Sequence, residues 1–135
     1  MNIKSIFVNL PVKDLQASRK FWNQLGFNFN EQFSDDKAAC LILNEGNMYS
    51  MLISREMFST FTNRPVADGS STQVLIAIDV PTREDVDHIV NLALANGGSR
   101  YKNPEDHGWM YYDSFADPDG HQWEILFSDP SKIQS

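Results

Sequence analysis

The sequence predicts an α+β fold made of two tandem β-α-β-β-β modules, with cupped mixed sheets carrying their helices on the convex side. Three observations predict it. An order of strand, cap, helix and glycine occurs twice, about seventy residues apart. Each helical stretch is followed by three further strand-like runs. The length, 135 residues, suits a single domain rather than two independent cores.

In the first module Ile6 to Val12 is an apolar strand run ended by Lys13 and Asp14, after which Ala17, Phe21, Trp22 and Leu25 recur at helical spacing as far as Gly26. The runs Phe27 to Phe33, Ala38 to Leu43 and Asn47 to Ile53 follow, separated by the turn-like Ser34-Asp35-Asp36-Lys37 and Asn44-Glu45-Gly46. The second module repeats the order. Val74 to Val80 is its first strand, and Thr82 caps a helix whose apolar stripe is Val86, Ile89, Val90, Ala93 and Leu94. Glu84 and Asp85 suit the positive end of that helix, and Gly26 and Gly97 suit the left-handed residue that ends many helices. Its later strands are expected at Ser99 to Lys102, Trp109 to Phe115 and His121 to Phe127, the last two joined by the strong turn Asp117-Pro118-Asp119-Gly120. The whole chain, 1–135, thus reads as one domain, with a first module of about 3–54, a link at 55–72 and a second module of about 73–128. Met57, Phe58 and Phe61 predict a packed helical turn within the link.

Composition narrows the function classes. Hydrophobic residues make up 41%, and 9 Phe, 4 Tyr and 3 Trp exclude a disordered chain. Eleven Lys and Arg against 18 Asp and Glu give a formal charge of -7, which repels a phosphate backbone or an anionic membrane surface, so neither nucleic acid nor membrane is expected as a partner. The longest stretch without a charged residue or His, Ile89 to Ser99, is eleven residues, against the roughly 20 needed to span a bilayer. No secretory signal pattern follows Lys4, and a cytoplasmic location is expected. The single cysteine, Cys40, forbids an intrachain disulfide and reads as a buried, inert thiol in a core strand.

Alternation sorts the strand faces. His121, Trp123, Ile125 and Phe127 share one face of the last strand, which leaves Glu124 on the other, either as a solvated carboxylate on an exposed sheet face or, if Trp123, Ile125 and Phe127 pack beneath the helix, directed into a cup as a general base or hydrogen-bond acceptor. The same period sends Phe7, Asn9, Leu75 and Ala77 toward the cup and Ile6, Val8, Leu10, Val74, Ile76 and Ile78 toward the helices. In the cluster Trp109-Met110-Tyr111-Tyr112, alternate members face the cup, and His107 sits just before that strand, on the loop surface or at the pocket rim.

The stretch Phe7-Val8-Asn9-Leu10-Pro11-Val12-Lys13-Asp14-Leu15, then Ser18, Phe21-Trp22 and Leu25-Gly26-Phe27, with Phe115-Ala116-Asp117-Pro118-Asp119-Gly120-His121 and Glu124, resembles the glyoxalase, bleomycin-resistance and extradiol-dioxygenase superfamily, also called vicinal oxygen chelate. The resemblance covers roughly residues 3–128 and is nearest to members described as predicted lactoylglutathione lyases. It implies a small-molecule pocket in the cup, a homodimer and, for any reaction, lyase, isomerase or dioxygenase chemistry. It also implies where metal-dependent members place their ligands: here those positions hold Phe7, Met51, Leu75 and Glu124. One carboxylate among three apolar side chains does not hold a hard divalent cation, so no cofactor and no metal-ligating residue is expected. The ligand-binding set is Phe7, Asn9, Met51, Leu75, Trp109, Tyr112 and His107, with Glu124 as the catalytic candidate. The alternative is a metal-dependent lyase, isomerase or dioxygenase of the same superfamily whose divalent metal uses other ligands, such as His107, His121 or Asp113, and metal analysis separates the two. A structural or protein-interaction module is the third reading, which leaves Glu124 without a purpose.

Overall fold

The structure, a computed structural model, describes residues 1–133. The chain divides into two compact units, one of residues 1–68 and one from Gly69 onward.

In the first unit the strands are β1 (Ile6–Val12), β2 (Asn28–Asn30), β3 (Ala38–Asn44) and β4 (Met48–Ser54), in the order β1-β4-β3-β2. β1 runs parallel to β4 and the other pairs are antiparallel, so the sheet is mixed. Asp14 caps α1 (Leu15–Gln24), its side chain accepting from the Ala17 N–H at 3.1 Å. The helix packs on β3 and β4, and its Leu15, Phe21 and Trp22 are buried, as are Leu41 of β3, Leu52 of β4 and Leu10 and Val12 of β1. Ile6, expected in this core, is exposed. A ten-residue helix is about 15 Å long and a seven-residue strand about 23 Å, so α1 cannot cover the whole of β1.

The run 27–33 forms a shorter strand than expected. The Asn30 side chain accepts from the Gln32 N–H, and the chain turns into one 3-10 turn over Glu31–Phe33. After β4, Ser54 caps α2 (Arg55–Ser59), and Arg55 donates to the carbonyls of Ala67 and Val66, drawing the following loop back onto the unit.

The second unit repeats the topology with β5 (Leu75–Asp79), α3 (Arg83–Ala95), β6 (Glu105–Asp106), β7 (Met110–Ala116) and β8 (Gln122–Ser128) in the order β5-β8-β7-β6. Thr82 caps α3, accepting from Asp85 N–H at 3.0 Å, and the helix packs Val86, Val90 and Ala93 against Phe115, Trp123 and Ile125 of β7 and β8. Val74 lies one residue before β5 and is exposed. Gly97 ends the helix at φ +107°, and Gly98 donates to the Ala93 carbonyl at 2.8 Å. A Cβ on Gly98 would stand 2.8 Å from that carbonyl oxygen and 3.0 Å from the Ala116 oxygen, so the helix end and β7 approach too closely for a side chain.

The strand expected at Ser99 to Lys102 does not form. Ser99 makes only an isolated bridge to Ala116, and the edge strand is β6, farther along. Two side chains explain the departure from the ladder: Arg100 pairs with the buried Asp113 and Lys102 with Glu105, while Pro104 offers no N–H to a neighbour. The turn before β8 is held by Asp117, whose carboxylate accepts from the Asp119 and His121 N–H groups and from Trp123 Nε1 at 3.0, 3.0 and 3.1 Å.

Candidate functional site

Each sheet has a face turned away from its helix, and strand register decides what stands on it. In the first unit Asn9 pairs with Met51, which in turn pairs with Cys40 on β3. In the second unit the corresponding positions are Ala77, Glu124 and Ser114. The repeat therefore matches Phe7 with Leu75, Met51 with Glu124 and Cys40 with Ser114.

The first of these faces is apolar. Phe7, 50% exposed, stacks on Tyr49 with ring centroids 4.8 Å apart. Asn9 and Met51 come together in a recess of about 360 Å³, floored by Ala38, Ile53, Met57 and Phe61 and edged by Asp35 and Lys37. That volume lies in the range of small-molecule sites. Asp35 is held below the usual carboxylate range by the N–H groups of Lys37 and Ala38, which its side chain accepts at 2.8 and 2.9 Å. Cys40 is fully buried, and burial, followed by the charge of Glu45, pushes its thiol up, away from the nucleophilic thiolate.

The second face carries the polar groups. Glu124 is half-buried, and its carboxylate makes no hydrogen bond or ion pair among the described residues. Directly across the ladder, Ser114 is only 2% exposed, and its Oγ has no partner at hydrogen-bond geometry. The Tyr101 hydroxyl lies within electrostatic reach of both; burial pushes it up, the Ser114 hydroxyl opposes this, and the Glu124 charge adds to it. Burial thus keeps the Tyr101 hydroxyl protonated at neutral pH.

Beyond this pair lies a closed polar group. Tyr112 donates to Glu105, and Lys102 Nζ donates to Tyr112 Oη at 3.0 Å and pairs with Glu105 at 2.8 Å. Lys102 is raised, chiefly by its bonds to Glu105 and Tyr112, and Glu105 is lowered by the same contacts, so both stay charged. His107 stacks on Tyr112 with centroids 6.1 Å apart, and its N–H donates to the Met110 carbonyl at 2.8 Å.

Of the residues singled out in the sequence, Leu75, Tyr112 and Glu124 fall on one face of the second sheet by register, with His107 against Tyr112. Leu75 is 50% exposed. Trp109 lies one residue before β7, and the strand's alternation groups it with Tyr111 rather than with Tyr112. Its carbonyl accepts from the Asp129 N–H at 2.7 Å. Ser114 and Tyr101 were not singled out. Ser114 could have been found by counting pairs back from the turn at Asp117–Gly120, which sets it opposite Glu124. Tyr101 carries no such signal, since its neighbours leave the ladder.

The positions at which metal-dependent relatives hold their ion do not fit one here. Phe7 and Leu75 have no donor atoms, Met51 offers a soft thioether, and Glu124 is the single carboxylate. Among the described residues no three His, Cys, Asp or Glu side chains cluster as a metal site. Among the described residues no helix is long and apolar enough to cross a membrane.

A family model of the Glyoxalase/Bleomycin resistance protein/Dioxygenase superfamily matches residues 4–125, and the chain belongs to that superfamily. Among solved structures, a hypothetical protein from S. aureus is similar at 30% identity and a TM-score of 0.79, over 94% of this chain and 95% of that one. A glyoxalase/bleomycin resistance protein/dioxygenase family enzyme from Burkholderia phytofirmans PsJN shares the fold at 24% identity and a TM-score of 0.73, over 90% and 96% of the two chains. A bleomycin resistance determinant encoded on the transposon Tn5 shares it at 18% identity and a TM-score of 0.59, over 93% and 98%. No curated protein matches the chain.

Proposed function

We propose that this protein binds a small organic molecule against the Glu124 face of its second sheet, without the divalent metal that other members of its superfamily use. One observation carries the reading. A half-buried carboxylate stands beside a buried hydroxyl whose Oγ has no hydrogen-bond partner among the described residues. Buried polar groups are otherwise almost always satisfied, and an orphan such as Ser114 Oγ costs roughly 1–3 kcal/mol. A ligand that hydrogen-bonds both groups would offset that cost.

The apolar recess beside Asn9 and Met51 is a second surface of ligand size, on the first unit. We also propose pairing with a second copy of the chain, supported by Phe7 and Leu75, large apolar side chains half exposed on the edge strands β1 and β5. Sedimentation at micromolar concentration should give twice the 15.4 kDa chain mass; a mass near 15.4 kDa would remove that part of the reading.

Thermal melting against a diverse panel of small organic molecules tests the binding reading. Panel members that bind should raise the Tm of the wild type. Glu124→Gln should lose this response while melting at the wild-type temperature or above. An unchanged response in Glu124→Gln, or an unliganded variant melting several degrees lower, would show that Glu124 serves the fold instead.

A further inference from the structure

We infer that the Glu124 face of the second sheet receives a protonated amine, its N–H groups donating to Glu124 and to Ser114 Oγ. The inference rests on the small-molecule reading above and names the charge class of the ligand.

Charge balance comes first. Lys102, the cation that acts on the Tyr101 hydroxyl, is held by Glu105 at 2.8 Å and donates to the Tyr112 hydroxyl at 3.0 Å, and Arg100 is paired with Asp113. Asp79, in register with Leu126 and exposed, adds a second carboxylate on the same side of β5. An anion entering here would meet uncompensated negative charge. A neutral hydroxyl could donate one hydrogen bond, leaving the carboxylate's charge unmatched. An ammonium supplies up to three donors and the missing charge, and bonds to charged partners are roughly twice as strong as neutral ones.

Donor and acceptor count comes second. Glu124 and Ser114 lie directly opposite each other, a separation that side-chain oxygens across an antiparallel pair can bridge through one small donor group. The Tyr101 hydroxyl, within electrostatic reach of Glu124 and Ser114, offers a further acceptor for such a donor. A metal ion is a poorer occupant, since a hard divalent cation needs several charged oxygens where the face offers one.

Isothermal titration of the full-length protein at neutral pH with benzylamine, benzyl alcohol and benzoate, three probes of similar shape and different charge, tests the assignment. Benzylamine should bind at least about tenfold more tightly than benzyl alcohol, with benzoate weakest, and added salt should weaken the benzylamine interaction. Glu124→Gln should bring benzylamine down to the level of benzyl alcohol, and Ser114→Ala should weaken it by a smaller factor. Urea unfolding of both variants shows that they fold. Equal binding of benzylamine and benzyl alcohol, stronger binding of benzoate, no binding of benzylamine, or a benzylamine preference that survives Glu124→Gln would each overturn the amine assignment. Binding of benzyl alcohol that is lost in Glu124→Gln would still leave the small-molecule reading standing.

Discussion

In the first sheet Met51 stands beside Cys40; at the matching positions of the second, Glu124 stands beside Ser114. Both small residues are buried, yet the thiol is a weak, nearly apolar group that needs no partner, whereas the hydroxyl does. On the helix side the two units are alike: Leu10, Val12, Leu41 and Leu52 under Phe21 and Trp22 in one, Trp123, Ile125 and Phe115 under Val86 and Val90 in the other. The repeated face stabilises the fold, and the face that differs is the one we propose as the binding surface.

The largest effects should come from the shared face. Trp22→Ala and Trp123→Ala each remove a fully buried indole and should each lower stability by about 3–5 kcal/mol in urea unfolding. Trp123 should be the costlier, since its loss also leaves Asp117 with one donor fewer. A cost below about 1 kcal/mol for either would show that its helix is not the principal cover of that sheet.

The helix ends sharpen the comparison. The first unit follows Gly26 with Phe27, whose N–H donates to Trp22 at 3.0 Å; the second follows Gly97 with Gly98. Gly98→Ala should cost about 1–3 kcal/mol, because both obstructing atoms are backbone oxygens that cannot rotate away. An unchanged unfolding midpoint would mean that the end of α3 can shift without cost.

A smaller effect is expected in the pH dependence of Asp117. Burial, the largest influence, pushes its carboxyl up from 3.8, against the nearby charge of His121 and the three donors around it. The folded chain therefore takes up this proton at higher pH than the unfolded chain. As the pH falls toward 3.8 through that window, the wild type should gain stability relative to Asp117→Asn. Urea melts of both proteins at stepped pH read the difference. A relative loss would mean that the donors outweigh burial.

Much of this architecture was legible in the sequence. The cap residues Asp14 and Thr82, the periodic stripes and the Asp117–Gly120 turn act locally, over three or four residues, so their consequences can be read without the fold. The sixth strand was not legible, because it depends on partners distant in sequence: Arg100 pairs with Asp113 and Lys102 with Tyr112, and these contacts pull the chain off the ladder after Ser99. The site divides in the same way. Glu124 could be placed on its face by period two alone, whereas Tyr101 reaches it through a loop whose course no local pattern records.

Importing the first unit's side chains into the second tests the central claim most directly. In the double variant Glu124→Met with Ser114→Cys, both substitutions approximately conserve volume, and Ser114→Cys removes the unsatisfied buried hydroxyl. Urea unfolding followed by benzylamine titration should give a midpoint equal to or above that of the wild type, with amine binding lost. A lower midpoint, or amine binding that persists, would contradict the division between a face that specifies the fold and a face that binds.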